Sequence, residues 1–328
     1  MQKPENYTDR KGVDVKNDIP YSEAVFPKKY WNVEEILPGI VQAERRQKIL
    51  YEKTSRYQHI MITEGETFGR ALILDGKTQS TEFDEFIYHE SLVHPIMITH
   101  HKPKTIFLAG GGEGATLREI LRHKNVDKVV MTDIDEEVVL ASKKFLPKHH
   151  MGSFKDHRLQ IIFEDSFEYI KQSPETFDVV IIDVPDPLEE GPARSLFTKE
   201  FYNLILAKLN PNGIMVSQCG PTNLYSLNEC FTPASNTIKS VFPKTYQYHV
   251  HIPSFGTTWG FVIGSLGPDP TNINAQKVDD TLLEKKISQL KMYDGITHQG
   301  LFSTPKYLRE SLDTEVRIST IQQPISVR

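Results

Sequence analysis

One stretch constrains the fold more than any other: Thr105-Ile-Phe-Leu-Ala-Gly-Gly-Gly-Glu-Gly-Ala-Thr-Leu-Arg-Glu-Ile120. An apolar run of strand length leads into glycines at 110, 111, 112 and 114, and a helical pattern follows. This is the opening strand, turn and helix of an open α/β sheet, in which glycines permit a tight turn and close approach of a ligand to the backbone. Gly110, Gly112 and Ala115 also satisfy the dinucleotide pattern G-x-G-x-x-G/A. Glu113 in the turn changes the reading. An acid there repels a pyrophosphate and suits a ligand that carries positive charge.

The rest of the chain supports that sheet. After Gly114, strands at Lys128–Thr132, Leu159–Phe163, Phe177–Ile182 and Gly213–Gln218 alternate with helical stretches near 115–123, 135–146, 166–172 and 198–208. A helix near 226–241 and β-rich segments at Tyr246–Ile252 and Trp259–Ser265 complete the pattern. Such alternation predicts a mostly parallel, doubly wound Rossmann-like sheet of the methyltransferase type. Before it, Ile49–Thr54, Gln58–Thr63 and Arg70–Asp75 are short β-rich runs separated by turn signals, and read as a small antiparallel β domain. Glu82–His94 reads as a helix, with Pro95 and Pro103 bracketing the passage into the sheet. The expected division is a disordered tail over 1–20, a β domain over 21–82 and a catalytic domain with C-terminal extension over 83–328. Within that extension a helical pattern runs around Asp279–Met292.

Composition narrows the function classes. The 328 residues carry a net charge of −5, which argues against nucleic acid and suits cationic small molecules. The N-terminus lacks the apolar core of a signal peptide, and no apolar run approaches the roughly 20 residues that span a bilayer. Cys219 and Cys230 form no metal or redox spacing. A cytoplasmic protein without membrane partners is expected.

Ligands bind such sheets at the carboxyl ends of the strands, and acids stand there. Asp133 is placed for a ribose diol, or for capping the next helix, a task that Asp135 fits better. Asp165 can accept from an adenine amino group or cap its own helix. Asp183 and Asp186 flank Val184-Pro185, and Pro185 stiffens the loop. One such acid can take a proton while the other holds a cation. Glu189 and Glu190 read as an exposed charged face. Together the acids point to a nucleoside whose far end is cationic, as in an S-adenosyl sulfonium compound.

At this point the sequence resembles the polyamine aminopropyltransferases, the family of spermidine, spermine and thermospermine synthases. The likeness runs from about Trp31 to the C-terminus. Its markers are Ser55-Arg-Tyr-Gln58, Leu74-Asp-Gly-Lys-Thr-Gln79, Asp84-Glu-Phe-Ile-Tyr-His-Glu90, Gly110-Gly-Gly-Glu-Gly114, Asp133-Ile-Asp135 and Asp183-Val-Pro-Asp-Pro187. The resemblance implies transfer of aminopropyl from decarboxylated S-adenosylmethionine to an amine, with methylthioadenosine released. It also implies no metal or other cofactor, and a cytosolic homodimer or homotetramer. By the same resemblance Gln58 and Asp133 hold the ribose and nearby groups, Glu113 the aminopropyl ammonium, and Asp165, beside Ser166, the adenine. Tyr88 and Asp183 flank the reacting nitrogen, with Asp183 or a water on it taking the proton. Asp186 grips the acceptor's cationic chain, and Gln218 lines its pocket. For Tyr88 and His89 the competing reading is ordinary packing of a helix face. His249 and His251 share a strand face but lack a third metal ligand.

Three positions depart from the family's commoner pattern: Asp133 stands for Glu, Ser166 for Gly, and Phe255 near a usual Tyr. Phe255, Trp259 and the residues after Asp186-Pro187 look most like thermospermine synthases and prokaryotic enzymes that accept agmatine or triamines. Spermidine as acceptor and thermospermine as product are therefore expected, with a putrescine-using spermidine synthase as the alternative. A methyltransferase, a nicotinamide oxidoreductase and a non-catalytic nucleoside-binding protein are the class-level rivals.

Overall fold

The computed structural model describes residues 25–189 and 191–327; the expected tail, 1–20, and Glu190 lie outside them. Five strands come first: β1 (Trp31–Leu37), β2 (Ile40–Thr54), β3 (His59–Gly65), β4 (Arg70–Leu74) and β5 (Lys77–Thr81). They pair antiparallel in chain order. The three strands expected here correspond to β2, β3 and β4, with Gln58 and Asp75 falling just outside the last two. No separate strand is legible for β1 and β5, because much of this sheet faces solvent and its apolar alternation is weak. At the β4–β5 hairpin Asp75 and Gly76 both take positive φ, the backbone of a two-residue I′ turn.

Helix α1 spans Glu85–Thr99, so it starts later and ends later than the expected Glu82–His94. The start is delayed because Asp84 is held outside the helix. Its carboxylate accepts from Thr81 Oγ1 (2.7 Å), Ser254 Oγ (2.8 Å) and the Ser254 N–H (2.7 Å). At the other end Pro95 lies inside the helix rather than closing it. Proline cannot donate to the carbonyl four residues back, and Tyr248 Oη supplies the missing bond to Ser91 O at 2.8 Å.

The second sheet has seven strands: β6 (Thr105–Gly110), β7 (Lys128–Thr132), β8 (Leu159–Ile162), β9 (Phe177–Asp183), β10 (Leu209–Pro221), β11 (Lys244–Ile252) and β12 (Thr257–Ser265). Their spatial order is β11-β12-β10-β9-β6-β7-β8. β6 to β10 run parallel, whereas β12 is antiparallel to both β10 and β11. The intervening helices include α2 (Ala115–Arg122), α3 (Glu136–Phe145), α4 (Pro147–His150), α5 (Ser166–Gln172), α6 (Lys199–Lys208) and α7 (Phe231–Lys239). Alternate residues of each central strand serve opposite faces. Ile106, Leu108, Val179 and Ile181 pack with α1, while Phe107, Ala109, Val180 and Ile182 pack with α6 and α7. Successive strands step away from β6 in opposite directions, so the sheet's switch point lies between β6 and β9.

In the C-terminal extension the helix occupies Ala275–Glu284 rather than running to Met292. Lys286 and Gln289 turn left-handed. The N–H groups of Lys291, Met292 and Tyr293 then converge on the Glu90 carboxylate of α1, at 2.8–3.1 Å. A buried acid thus captures three backbone donors that a continued helix would have used internally. Glu90→Ala should therefore lower unfolding free energy by about 2–4 kcal/mol in urea titrations. A loss below about 0.5 kcal/mol would show that the carboxylate does not hold this segment.

Candidate active site

The β6–α2 turn is built against the end of β9. Gly110 has φ +80°, and a Cβ placed there would lie 2.1 Å from Asp183 O. With no Cβ, Gly111 N–H donates to that same carbonyl at 2.9 Å. A Cβ at Gly112 would sit 2.6 Å from Asp133 Oδ2. The glycines therefore let the ends of three strands converge on one space.

That space is a single cavity of about 800 Å³ between the two sheets. The residues expected to bind ligand or take part in the chemistry line it: Gln58, Tyr88, His89, Gly110, Gly112, Glu113, Asp133, Asp165, Ser166, Asp183, Asp186, Gln218, Phe255 and Trp259. At one end Asp133 Oδ1 accepts the Asp135 N–H at 2.9 Å, and Ser166 Oγ meets Thr132 Oγ1 at 2.7 Å. Asp165 does cap α5, but it does so with Oδ1 alone, toward Phe167 N (2.7 Å) and Glu168 N (3.2 Å). Asp135 is the cap of α3, as its position suggests, and its other oxygen takes Ser55 Oγ (2.6 Å) and Gln58 Nε2 (3.1 Å).

At mid-cavity Asp183 receives Tyr88 Oη on Oδ1 (2.7 Å) and Thr116 Oγ1 on Oδ2 (2.6 Å). Tyr88 is thus more than packing. Beside it, His89 Nε2 bonds Glu113 Oε1 at 2.7 Å, and Nδ1 bonds Glu85 Oε2 at 2.8 Å. Beyond Asp183, Gln218 Nε2 donates to Val184 O (2.7 Å) and reaches Asp186 Oδ1 (3.4 Å). Gln218 Oε1 takes Gly220 N (2.9 Å) and Trp259 Nε1 (3.0 Å). This one amide locks the Asp186 loop to the aromatic wall, where Phe255 stacks edge-on to Trp259 with centroids 4.9 Å apart. The loop is held from outside as well, since Val327 N–H donates to Pro187 O at 3.0 Å and bridges Leu188. Glu189 is exposed.

The electrostatics fit a cation site. Burial, reinforced by Glu113, raises Asp183 to about 6; burial likewise raises Asp186 to about 6 and Asp133 to about 7. Burial also opposes the charge on Glu113, but the His89 bond and charge outweigh it and hold this acid below its usual range. His89 answers in kind: burial lowers it, yet its two carboxylate partners carry it to about 10. Ligand atoms of His89, Glu113 and Asp183 lie within 4.8 Å of one another. Both His89 nitrogens are already engaged by carboxylates, Glu113 on one side and Glu85 on the other. Of the strand histidines, His249 bonds Thr222 Oγ1 at 3.0 Å while His251 is exposed.

Sequence reading missed several contributors. Thr116 sits in the first turn after Gly114, and that adjacency to the glycine turn was its only signal. Glu34 and Lys77, from β1 and β5, line the cavity near Asp186, with Lys77 Nζ 3.7 Å from Glu34 Oε1. Both belong to strands without a legible pattern.

The profile of the spermine/spermidine synthase domain matches residues 85–274, and that of the spermidine synthase tetramerisation domain matches residues 30–82. The chain belongs to the spermine/spermidine synthase family. It is 41% identical to a polyamine aminopropyltransferase of Sulfolobus acidocaldarius over 90% of this chain and 97% of that protein. It is 38% identical to one of Aeropyrum pernix, over 92% and 97%. Among solved structures it resembles a spermidine synthase in complex with the transition-state analogue AdoDATO, with TM-score 0.81 and 32% identity over 88% and 96% of the two chains. Spermidine synthase of Thermotoga maritima gives 0.79 at 32% identity, over 87% and 94%. The protein is a polyamine aminopropyltransferase of polyamine biosynthesis. No helix among the described residues is long and apolar enough to cross a membrane.

Two glycines with similar backbone separate strain from crowding in this aminopropyltransferase. Gly76 has φ +79° and open space around a Cβ, so Gly76→Ala should cost about 1 kcal/mol of left-handed strain. Gly110→Ala adds the overlap with Asp183 O and should cost at least about 2 kcal/mol more in chemical denaturation. Equal costs would mean that the β6–β9 approach tolerates a side chain.

Proposed function

We propose that the enzyme transfers aminopropyl from decarboxylated S-adenosylmethionine to spermidine, giving thermospermine and methylthioadenosine. In this reading Asp133 and Gln58 hold the ribose side and Asp165, beside Ser166, the adenine, while Glu113 takes the aminopropyl ammonium. The acceptor lies between Asp183 and Asp186. Its nitrogen attacks the methylene next to the sulfonium, the C–S bond breaks, and the sulfur leaves as a neutral thioether. No metal or other cofactor is required, and alignment carries much of the catalysis. The acceptor nitrogen starts protonated, at a pKa of roughly 10, so Asp183, or a water on it, receives the proton while Tyr88 orients it. The tetramerisation-domain match supports homo-oligomer formation through the N-terminal sheet, and the family likeness supports a cytoplasmic location.

The observation that carries the acceptor assignment is the aromatic wall. Tyr88 Oη is spent on Asp183, Trp259 Nε1 on Gln218, and Phe255 has no hydroxyl. Tyr88 keeps only an acceptor lone pair, Trp259 Nε1 can only donate and Phe255 has no polar atom, so this wall supplies no charged partner for the far amine of a short diamine, whereas the carboxylates Asp186 and Glu34 also line the cavity. The likeness to spermidine synthases favours putrescine as the competing acceptor. Incubation with decarboxylated S-adenosylmethionine and putrescine, agmatine, spermidine or norspermidine, with products resolved by chromatography, decides between them. Thermospermine from spermidine is expected. Spermine as main product, or putrescine preferred, would defeat the assignment and leave aminopropyl transfer standing. Phe255→Tyr should shift the kcat/KM ratio toward putrescine, within the one to two orders of magnitude typical of pocket contacts.

Thr116→Val tests the proton acceptor. A hydrogen bond to a carboxylate favours its charged form, so removing the Thr116 donor raises Asp183. The acidic limb of the kcat/KM profile should move to higher pH by about half a unit to one unit. An unmoved limb would show that it does not report Asp183.

A further inference from the structure

The acids and bases behind the cavity form a connected chain. His89 lies between two carboxylates, Glu113 at 2.7 Å and Glu85 at 2.8 Å. A neutral imidazole has one N–H and can serve only one of them; the imidazolium serves both. Glu85 is itself gripped by the Arg118 fork, Nη1 to Oε1 at 3.0 Å and Nη2 to Oε2 at 2.8 Å. Arg118 is fixed in turn by Nε to Glu119 Oε1 at 2.7 Å and Nη1 to His149 O at 2.5 Å. The charges alternate from Glu113 through His89 and Glu85 to Arg118 and Glu119, and these side chains are all at least nine-tenths buried or nearly so. Glu113 and His89 line the cavity; Glu85 and Arg118 do not.

We propose that Glu85 and Arg118 are positioning residues for the donor substrate: they hold His89 so that Glu113 has one oxygen engaged from behind and presents the other to the donor's primary ammonium. This rests on the reading of Glu113 as the ammonium's partner. The geometry gives the reason. Glu113 follows three glycines, and its carboxylate is held by its own backbone N–H and, more strongly, by the side-chain bond from His89. Without the Glu85–Arg118 pair, His89 would keep a single acidic partner in a buried setting, where burial favours the neutral ring. The ring would keep its Nδ1 contact with the Glu85 carbonyl, at 2.7 Å, so a neutral ring would carry its one proton there and turn a bare Nε2 toward Glu113, which would lose its bond from behind. Arg118 and Glu85 also join α2 to α1, the two helices that carry Thr116 and Tyr88, so a purely structural role must be separated from a positioning one.

Two ligands that differ by the aminopropyl arm make that separation. Decarboxylated S-adenosylmethionine has the ammonium and methylthioadenosine lacks it, while both fill the nucleoside end. Dissociation constants for each are measured by calorimetry on wild type, Glu85→Gln and Arg118→Lys, with thermal unfolding alongside. Glu85→Gln should weaken the donor by about tenfold, the worth of a charge-assisted contact, and leave methylthioadenosine unchanged. Arg118→Lys keeps the charge but loses the fork, and should show a smaller loss in the same direction. It carries the same comparison if Glu85→Gln does not fold. Parallel losses for both ligands, or an unaltered donor affinity, would overturn the proposal. A wild type that binds both ligands equally would instead sink the assignment of Glu113 itself, and this inference with it.

Discussion

The contact on which this structure depends is the approach of the β6 turn to the end of β9. Gly111 N–H bonds Asp183 O only because Gly110 has no side chain to occupy that space. The contact fixes both the backbone of Asp183 and the turn that carries Glu113. It lies at the switch point of the sheet, where diverging connections leave a crevice. The five-stranded sheet and α1 then close that crevice from the other side. An open groove becomes a cavity that can exclude water, and carboxylates lining it are pushed toward protonation.

That burial has a consequence for ligand choice. Asp133, Asp183 and Asp186 all have pKa values raised mainly by desolvation, and the Asp183–Glu113 and Asp133–Asp183 repulsions add to it. An anion would aggravate every one of these penalties, whereas a cation relieves them. In the proposed reading the nucleoside end supplies hydrogen bonds beside Asp133, while the middle and far end receive ammonium groups. The sulfonium and polyamine charges of an aminopropyl transfer satisfy this arrangement better than the neutral or anionic ligands of other nucleotide-binding sheets do.

The sequence showed much of this and missed the rest for identifiable reasons. Strand ends in a parallel sheet are legible because buried runs stop at turn residues, so Asp133, Asp165 and Asp183 could be placed before any coordinates. The helix at 166–172 and the turn at 110–114 were legible for the same reason. Helix α1 was misjudged at both ends, because each end is decided by a tertiary partner: Ser254 holds Asp84 out, and Tyr248 replaces the bond that Pro95 cannot make. The segment after Glu284 was likewise decided by Glu90, distant in sequence. Glu34 escaped notice altogether, and Lys77 and Thr116 lay within motif stretches without a role, because their importance comes from what folds against them.

The two histidines nearest Glu113 illustrate how neighbours of similar burial acquire opposite states. His89 has an acid on each nitrogen and is held charged, to about 10; His149, equally buried, has no hydrogen-bond partner on either ring nitrogen and is driven to about 4 by burial. Their difference is not depth but pairing. The same rule separates the carboxylates: Glu113 is paired and stays ionised, while Asp183 has only hydroxyl donors and sits near 6. In the proposed reaction this division has a use. The acid that holds a permanent ammonium should never lose its charge, and the acid that receives a proton should have an affinity for one. A single pocket supplies both by giving one carboxylate an imidazolium and the other a tyrosine and a threonine.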